Sequence, residues 1–233
     1  MHFPIRFINF YAPLRRLLPL LALLATPALA PADSIVVGDH SNPFNPIDFL
    51  SPNNGVAQRF TITSGIWDIT SVKIRLGNQS IVTQIDPIVQ IRDASGPGGG
   101  PGYYPLGSFN IDGSQIPPWT FGGVNTAIVQ ASPSSSFQLP VGAYWLTLIN
   151  ADVGDAILAC FTSAAPLQQD GVGGNFEYTA DIFKSYDAGV SFAPAYGGFT
   201  LLAELDGIAI PEPASLAFIF IAPLVLRSRP RAR

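Results

Sequence analysis

Apolar and polar residues alternate with a period of two through much of the stretch from Asp33 to Ala209. In residues 72–76, Val72, Ile74 and Leu76 fall on one face and Lys73 and Arg75 on the other; Val89 and Ile91 are opposed in the same way by Gln90 and Arg92. Successive side chains of a strand point to opposite faces, so this spacing predicts half-buried strands. Residues 56–70, VAQRFTITSGIWDIT, read as two strand segments around Ser64-Gly65, a hairpin-type dipeptide. Pro140-Val141-Gly142 predicts a turn before a strand from Tyr144 to Ile149, and AILACF (156–161) follows NADVGD as the far arm of another hairpin. Trp67 and Trp145 lie on these strands and are expected in the core. No long amphipathic helix interrupts the series, and no internal repeat of roughly 20–50 residues is present. The fold class predicted is all-β: a β-sandwich of jelly-roll type.

The period of two stops at both ends. Residues 1–32 begin with Arg6, Arg15 and Arg16, continue with the apolar LLPLLALLA of Leu17 to Ala25, and finish in small residues. That order is the secretory pattern, and its core is too short for a permanent bilayer span. Of two small-x-small sites, the one after Ala30 would leave Pro31 first, without the N–H a protease groove uses. Cleavage is therefore expected after Ala32, with Asp33 as the first mature residue. At the other end, Pro211-Glu212-Pro213 precedes the uncharged run Ala214–Leu226 and then Arg227, Arg229, Arg231 and Arg233. The run has 13 residues, short of the ~20 that span a bilayer comfortably; Ile208, Ala209 and Ile210 across the turn would extend it. Each arginine resists outward transfer by about 2.3 kcal/mol per 100 mV, so four oppose it by roughly 9 kcal/mol. The tail is expected to stay cytoplasmic behind a single transmembrane helix, with the domain outside. The organisation predicted is a signal peptide over 1–32, a sandwich over 33–209 and a membrane-sorting segment over 210–233.

Charge sharpens this division. The span 33–209 holds five bases against fifteen acids, a formal charge of −10, between two basic ends. Clustered bases on the folded part are what a phosphate-tracking surface needs, so nucleic acid is excluded as a partner. Charged residues are 12% of the chain, about half the usual share, so Ser, Thr, Asn, Gln and exposed backbone must carry solubility. The single cysteine, Cys160, has apolar neighbours and reads as a buried, inert thiol.

The C-terminal parts together resemble the PEP-CTERM sorting signal of Gram-negative bacteria: a Pro-Glu-Pro motif, a hydrophobic helix and an Arg-rich tail. The resemblance implies recognition by an exosortase, a membrane transpeptidase-like enzyme acting near Pro211, Glu212 and Pro213, in organisms that make exopolysaccharide and biofilm. Pro223 and Pro230 depart from the usual pattern. Further pieces in order, AQRFT, ITSVKIRLG, VQIRDASGPGGGPGYYPLGSF, LPVGAYWLTL and GGFTLLAELDG, resemble the R-type choice-of-anchor domains, extracellular β-modules carried on alternative surface anchors. That resemblance implies an exported envelope or cell-surface structural protein and transfers no chemistry to named residues.

Candidate chemistry is sparse. His40 is the one histidine after residue 32, lies in a turn-rich segment and has no G-x-S-x-G elbow to serve. No catalytic residues, cofactor or metal site are assigned, and the chain is read as a non-enzyme. Asn150, Asp152 and Asp155, and Asp170 with Asn175, offer oxygen ligands suited to calcium but lack the spacing of a defined loop, so they are read as turn residues. Tyr103 and Tyr104 in GPGGGPGYYPLG, and Trp119 after Pro117-Pro118, are candidate stacking surfaces for sugar. They support an alternative function, an extracellular carbohydrate-binding module with polysaccharide as partner. A roughly coplanar exposed pair would favour that module; buried rings would favour a structural role.

Overall fold

The computed structural model describes residues 34–38, 47–78, 87–118, 125–151, 156–162, 171–177 and 182–211. Its strands are β1 (Ser34–Gly38), β2 (Ile47–Leu50), β3 (Gly55–Ile62), β4 (Ile66–Asn78), β5 (Ile88–Asp93), β6 (Pro105–Asn110), β7 (Ala127–Ala131) and β8 (Gln138–Leu139). They continue with β9 (Gly142–Ile149), β10 (Ile157–Thr162), β11 (Gly174–Phe176), β12 (Ile182–Ser185), β13 (Ala193–Tyr196), β14 (Thr200–Leu201) and β15 (Ala203–Ile210). All described pairings are antiparallel, and they form two sheets. The first runs β1-β15-β4-β10-β14, with β2 on β10 and β7 and β8 on β4; the second runs β13-β12-β3-β9-β5-β6, with β11 on β3. The all-β expectation holds, and the pairing is that of a β-sandwich.

The longest strand, β4, shows how sequence sets register. Trp67 and Ile69 are buried, and then burial passes to Val72, Ile74 and Leu76, a change of parity. The pairing with β15 explains it: Ile69 faces Gly207 and Ser71 faces Asp206, so Thr70 is an extra residue in a bulge. One bulge moves every later side chain to the opposite face, which lets a single strand keep both apolar sets inside.

The hairpins read from the turn residues are not hairpins. Ser64-Gly65 joins β3 of the second sheet to β4 of the first, and the 140–142 turn joins β8 of the first to β9 of the second. The segment after Asn150 likewise leads from β9 to β10 in the opposite sheet. In each case the following strand belongs to the opposite sheet instead of pairing alongside the preceding one.

The inner faces meet in one apolar cluster that includes Phe60, Leu146 and Leu148 from the second sheet and Val72, Ile74 and Leu205 from the first. Phe60 is its aromatic centre, tilted on Tyr144 at 5.7 Å and edge-on to Phe176 at 5.9 Å. Trp67 belongs to this cluster. Trp145 is equally buried but points to the other face of the second sheet, with consequences described below. The sheets are also laced at two margins: Phe109 bridges Pro133, and Val172 and Gly173 donate to the Ile35 and Val36 carbonyls. Cys160 is fully buried in β10, and burial pushes its thiol up to about 12, so it stays protonated and unreactive.

Among the described residues no helix is long and apolar enough to cross a membrane. Ile208, Ala209 and Ile210, which the sequence offered as an extension of the hydrophobic span, pair instead with Asp68, Trp67 and Ile66 in the sheet. They cannot join a transmembrane helix while that strand is formed.

Candidate functional site: a cleft between two loops

Two hydrogen-bonded loops, one after β5 and one after β12, cover the outer face of the second sheet. Asp93 ends β5, and its carboxylate accepts from the Ser95 amide at 3.2 Å and the Ser95 hydroxyl at 2.6 Å. The chain then makes a short 3-10 turn over Pro97–Gly99 and returns, with the Gly102 amide donating to the Asp93 carbonyl at 2.8 Å. Gly99 sits at φ +78°, a left-handed conformation open to glycine. This aims its carbonyl at Trp145 Nε1, which donates to it at 3.0 Å. At Gly102 a Cβ would collide with the Asp93 carboxylate, so a side chain there would break the turn. The loop GPGGGPG is thus tied down to Trp145 through the Gly99 carbonyl.

A second loop follows β12. Asp187 accepts from the Ser185 hydroxyl at 2.7 Å, the Ser191 amide at 2.9 Å and the Ser191 hydroxyl at 2.6 Å. These bonds, the Ser191 hydroxyl's foremost, hold the Asp187 carboxyl down at about 2. A depressed carboxyl stabilises the fold above its unfolded value of 3.8 and loses that contribution as pH falls through about 2. Asp187→Asn should therefore be less stable than wild type at neutral pH, by a modest amount because the group is exposed. The difference should shrink on acidification toward about pH 2. Urea midpoints of both proteins across that range test it, and a difference independent of pH would contradict the assignment.

Arg92 fastens the two loops together. Its Nη1 donates to the Gly102 carbonyl at 3.2 Å and to the Gly189 carbonyl at 2.7 Å, while Nε and Nη2 reach Gln90 Oε1 at 3.3 and 2.9 Å. The guanidinium also lies 5.4 Å from the centre of the Phe192 ring. Arg92 is 5% exposed, and burial lowers its pKa, with Tyr103 acting in the opposite sense; an arginine stays charged all the same. The alternation had placed Arg92 opposite Val89 and Ile91, a position that reads as solvated. It does point away from the core, but both loops cover it.

Between the loops lies a cleft of about 360 Å³, near the lower end of the ~300–1,000 Å³ typical of small-molecule sites. One wall is built by Ser95, Gly96, Pro97, Gly100, Pro101 and Tyr103, the other by Val190, Ser191 and Phe192. Tyr103 and Tyr104 are 62% and 78% exposed, as the sugar-stacking idea requires. They are not coplanar, however: the rings meet edge-to-face, 4.8 Å apart at 88°. Tyr103 lines the cleft and Tyr104 braces it from outside, so the pair does not form one flat platform.

The other candidate residues divide. Trp119, His40, Asp152, Asp155 and Asp170 lie outside the described residues, as do Ala32, Asp33, Glu212, Pro213, Arg227, Arg229, Arg231 and Arg233. Pro211 is exposed, immediately beyond β15. Asn150 is buried, with its amide donating to the Leu50 carbonyl at 2.8 Å. Asn175 lies on β11 and accepts from Thr61 Oγ1 at 2.9 Å. Asn150 and Asn175 are therefore each engaged by a partner within the fold. Sequence reasoning missed Arg92, Asp187, Ser191 and Phe192; the only local trace is the spacing of Ser185 and Ser191 around Asp187, which marks a self-bonded loop.

No protein-family model matches the chain, and no curated protein matches it either.

Proposed function

We propose that this chain is an exported structural protein of the Gram-negative envelope. It is held in the inner membrane by its C-terminal segment and then processed near Pro211-Glu212-Pro213 by an exosortase-type enzyme. Its β-domain is displayed at the cell surface or in the exopolysaccharide matrix. The observation that carries this reading is the coincidence of motif, apolar run and arginine tail in that order, behind a chain that opens with the secretory pattern. The end of the last strand adds support: β15 stops at Ile210 and Pro211, the first residue of the motif, is exposed directly after it. Two prolines hold the backbone extended and deny it helix, which suits a recognition handle.

Replacing Pro211, Glu212 and Pro213 together by Ala tests the proposal. Insertion should persist, because Ala214–Leu226 and the four arginines still stop transfer. The uncleaved protein should then accumulate in the membrane fraction, heavier than the processed form, in a host that carries the matching exosortase. Identical mass and location for wild type and variant would leave only a plain anchor.

A second reading, an extracellular carbohydrate-binding module, is favoured by one observation: the cleft between the two loops presents Tyr103 on a rigid, hydrogen-bonded frame. The two readings are compatible, since a matrix protein can be held in place by the polymer around it.

A further inference from the structure

The cleft's polar groups are not neutral in what they select. Its two serine hydroxyls are both spent as donors, Ser95 Oγ to Asp93 Oδ1 at 2.6 Å and Ser191 Oγ to Asp187 Oδ2 at 2.6 Å. A hydroxyl has one hydrogen, so with that hydrogen on a carboxylate the oxygen can only accept from a ligand. The carboxylate behind Ser191 keeps its charge down to about pH 2, so this polarity is fixed under ordinary conditions. Pro97, Pro101, Tyr103 and Phe192 add ring surfaces to the lining, with Val190 and the backbone of Gly96 and Gly100 between them. The charges point the same way. An anionic ligand would sit next to two carboxylates, Asp93 and Asp187, which stand directly behind the lining serines, while the guanidinium of Arg92 is directed to Gly102, Gly189 and Gln90.

We propose that this cleft binds a neutral, polyhydroxylated sugar unit, with Tyr103 and Phe192 against its C–H face and the Ser95 and Ser191 oxygens accepting from its hydroxyls. The inference rests on the carbohydrate-binding reading above and adds to it a location and a preference for uncharged over acidic polymer. Arg92 acts here as a positioning residue, holding both walls at one separation. Tyr104 braces Tyr103 and is not placed against the sugar.

The test is affinity electrophoresis of the full chain in detergent, at low ionic strength, through gels containing dextran or galactomannan as neutral polymers and alginate or polygalacturonate as acidic ones. Retardation by a neutral polymer is expected. Tyr103→Ala should weaken it about tenfold, the loss of one good aromatic contact, and Tyr104→Ala should weaken it less. Both tyrosines are solvent-exposed, so unchanged urea midpoints will show that the variants fold. Retardation by the acidic polymers alone would overturn the proposed preference while leaving the carbohydrate reading standing. Neutral binding that ignores Tyr103→Ala would overturn the location. Retardation by none of the four would remove both.

Discussion

Trp145→Ala should destabilise the protein by about 3–5 kcal/mol, the range for emptying a well-packed indole site. The side chain is 1% exposed, although it faces away from the inter-sheet core. Its ring packs on Phe183 at 4.6 Å, and its Nε1 donates to the Gly99 carbonyl at 3.0 Å. Truncation therefore removes apolar contact and a hydrogen bond at the same point, and it leaves the 95–104 loop without a floor. Gly100 lies close against the Phe183 ring, so the loop rests on the packed Trp145–Phe183 pair and its seat is lost when the indole is removed. Trp145→Phe keeps most of the packing and loses the hydrogen bond, and it should cost only about 1–2 kcal/mol. Equilibrium urea unfolding measures both, and limited proteolysis should find new cleavage within the loop of the Ala variant. A cost below about 1 kcal/mol for Trp145→Ala, typical of a surface change, would mean that the loop does not depend on this ring. The same variant should abolish any binding in the cleft, since one wall stands on the loop that Trp145 supports.

That dependence shows what a one-dimensional pattern can carry. Alternation around Val72–Leu76 and Val89–Arg92 located strands because period two is a property of the strand itself. The same alternation could not say that Thr70 would be squeezed out as a bulge, because a bulge is defined by the partner strand, β15, well over a hundred residues later. Turn dipeptides failed for a related reason. Ser64-Gly65 does reverse the chain, with Gly65 at φ +74° and Trp67 Nε1 donating to the Ser64 carbonyl at 2.8 Å. Reversal alone does not choose between pairing with the preceding strand and stacking opposite it. The cleft was half legible: Tyr103 and Tyr104 stood out as aromatics in a Gly/Pro loop. Its other wall comes from residues 190–192, and nothing local in either segment announces that they meet. Arg92 was the most misleading residue. Its position on the polar face was correct, but that position does not show that it is buried, because the loops that cover it are distant or irregular in sequence.

Lys73→Met should be comparably damaging, about 3–5 kcal/mol, for an electrostatic reason. Lys73 sits on β4 directly opposite Glu204 of β15, and Ser71 sits opposite Asp206. The ammonium reaches Glu204 Oε1 at 2.6 Å and Asp206 Oδ2 at 2.9 Å, and Ser71 Oγ donates to the same Asp206 oxygen at 2.7 Å. Glu204 and Asp206 are only 3% and 6% exposed, and the Lys73 side chain is 25% exposed, so the carboxylates are buried beneath a partly exposed cation and the cluster is not a surface pair of the kind worth a few tenths of a kcal/mol. Burial by itself lowers the Lys73 pKa, yet hydrogen bonds and charge from Glu204 and Asp206 outweigh it and leave the pKa raised. The sign follows: this stabilisation is complete below the lysine's ordinary value of 10.5 and is lost as pH rises through the higher folded value. Removing the ammonium strands two buried carboxylates on one face of β15 without their shared cation. The matching control is the triple variant Lys73→Met, Glu204→Gln, Asp206→Asn, which removes the charges along with their compensation. It should be markedly more stable than Lys73→Met alone, because the larger part of the loss is the desolvated charge left behind and not the pair's net worth. Urea midpoints of the three proteins should also respond little to added salt, which screens buried pairs far less than exposed ones. If Lys73→Met costs under about 1 kcal/mol, or the triple variant is no better than the single, the cluster is solvated in solution and contributes no more than an ordinary surface ion pair.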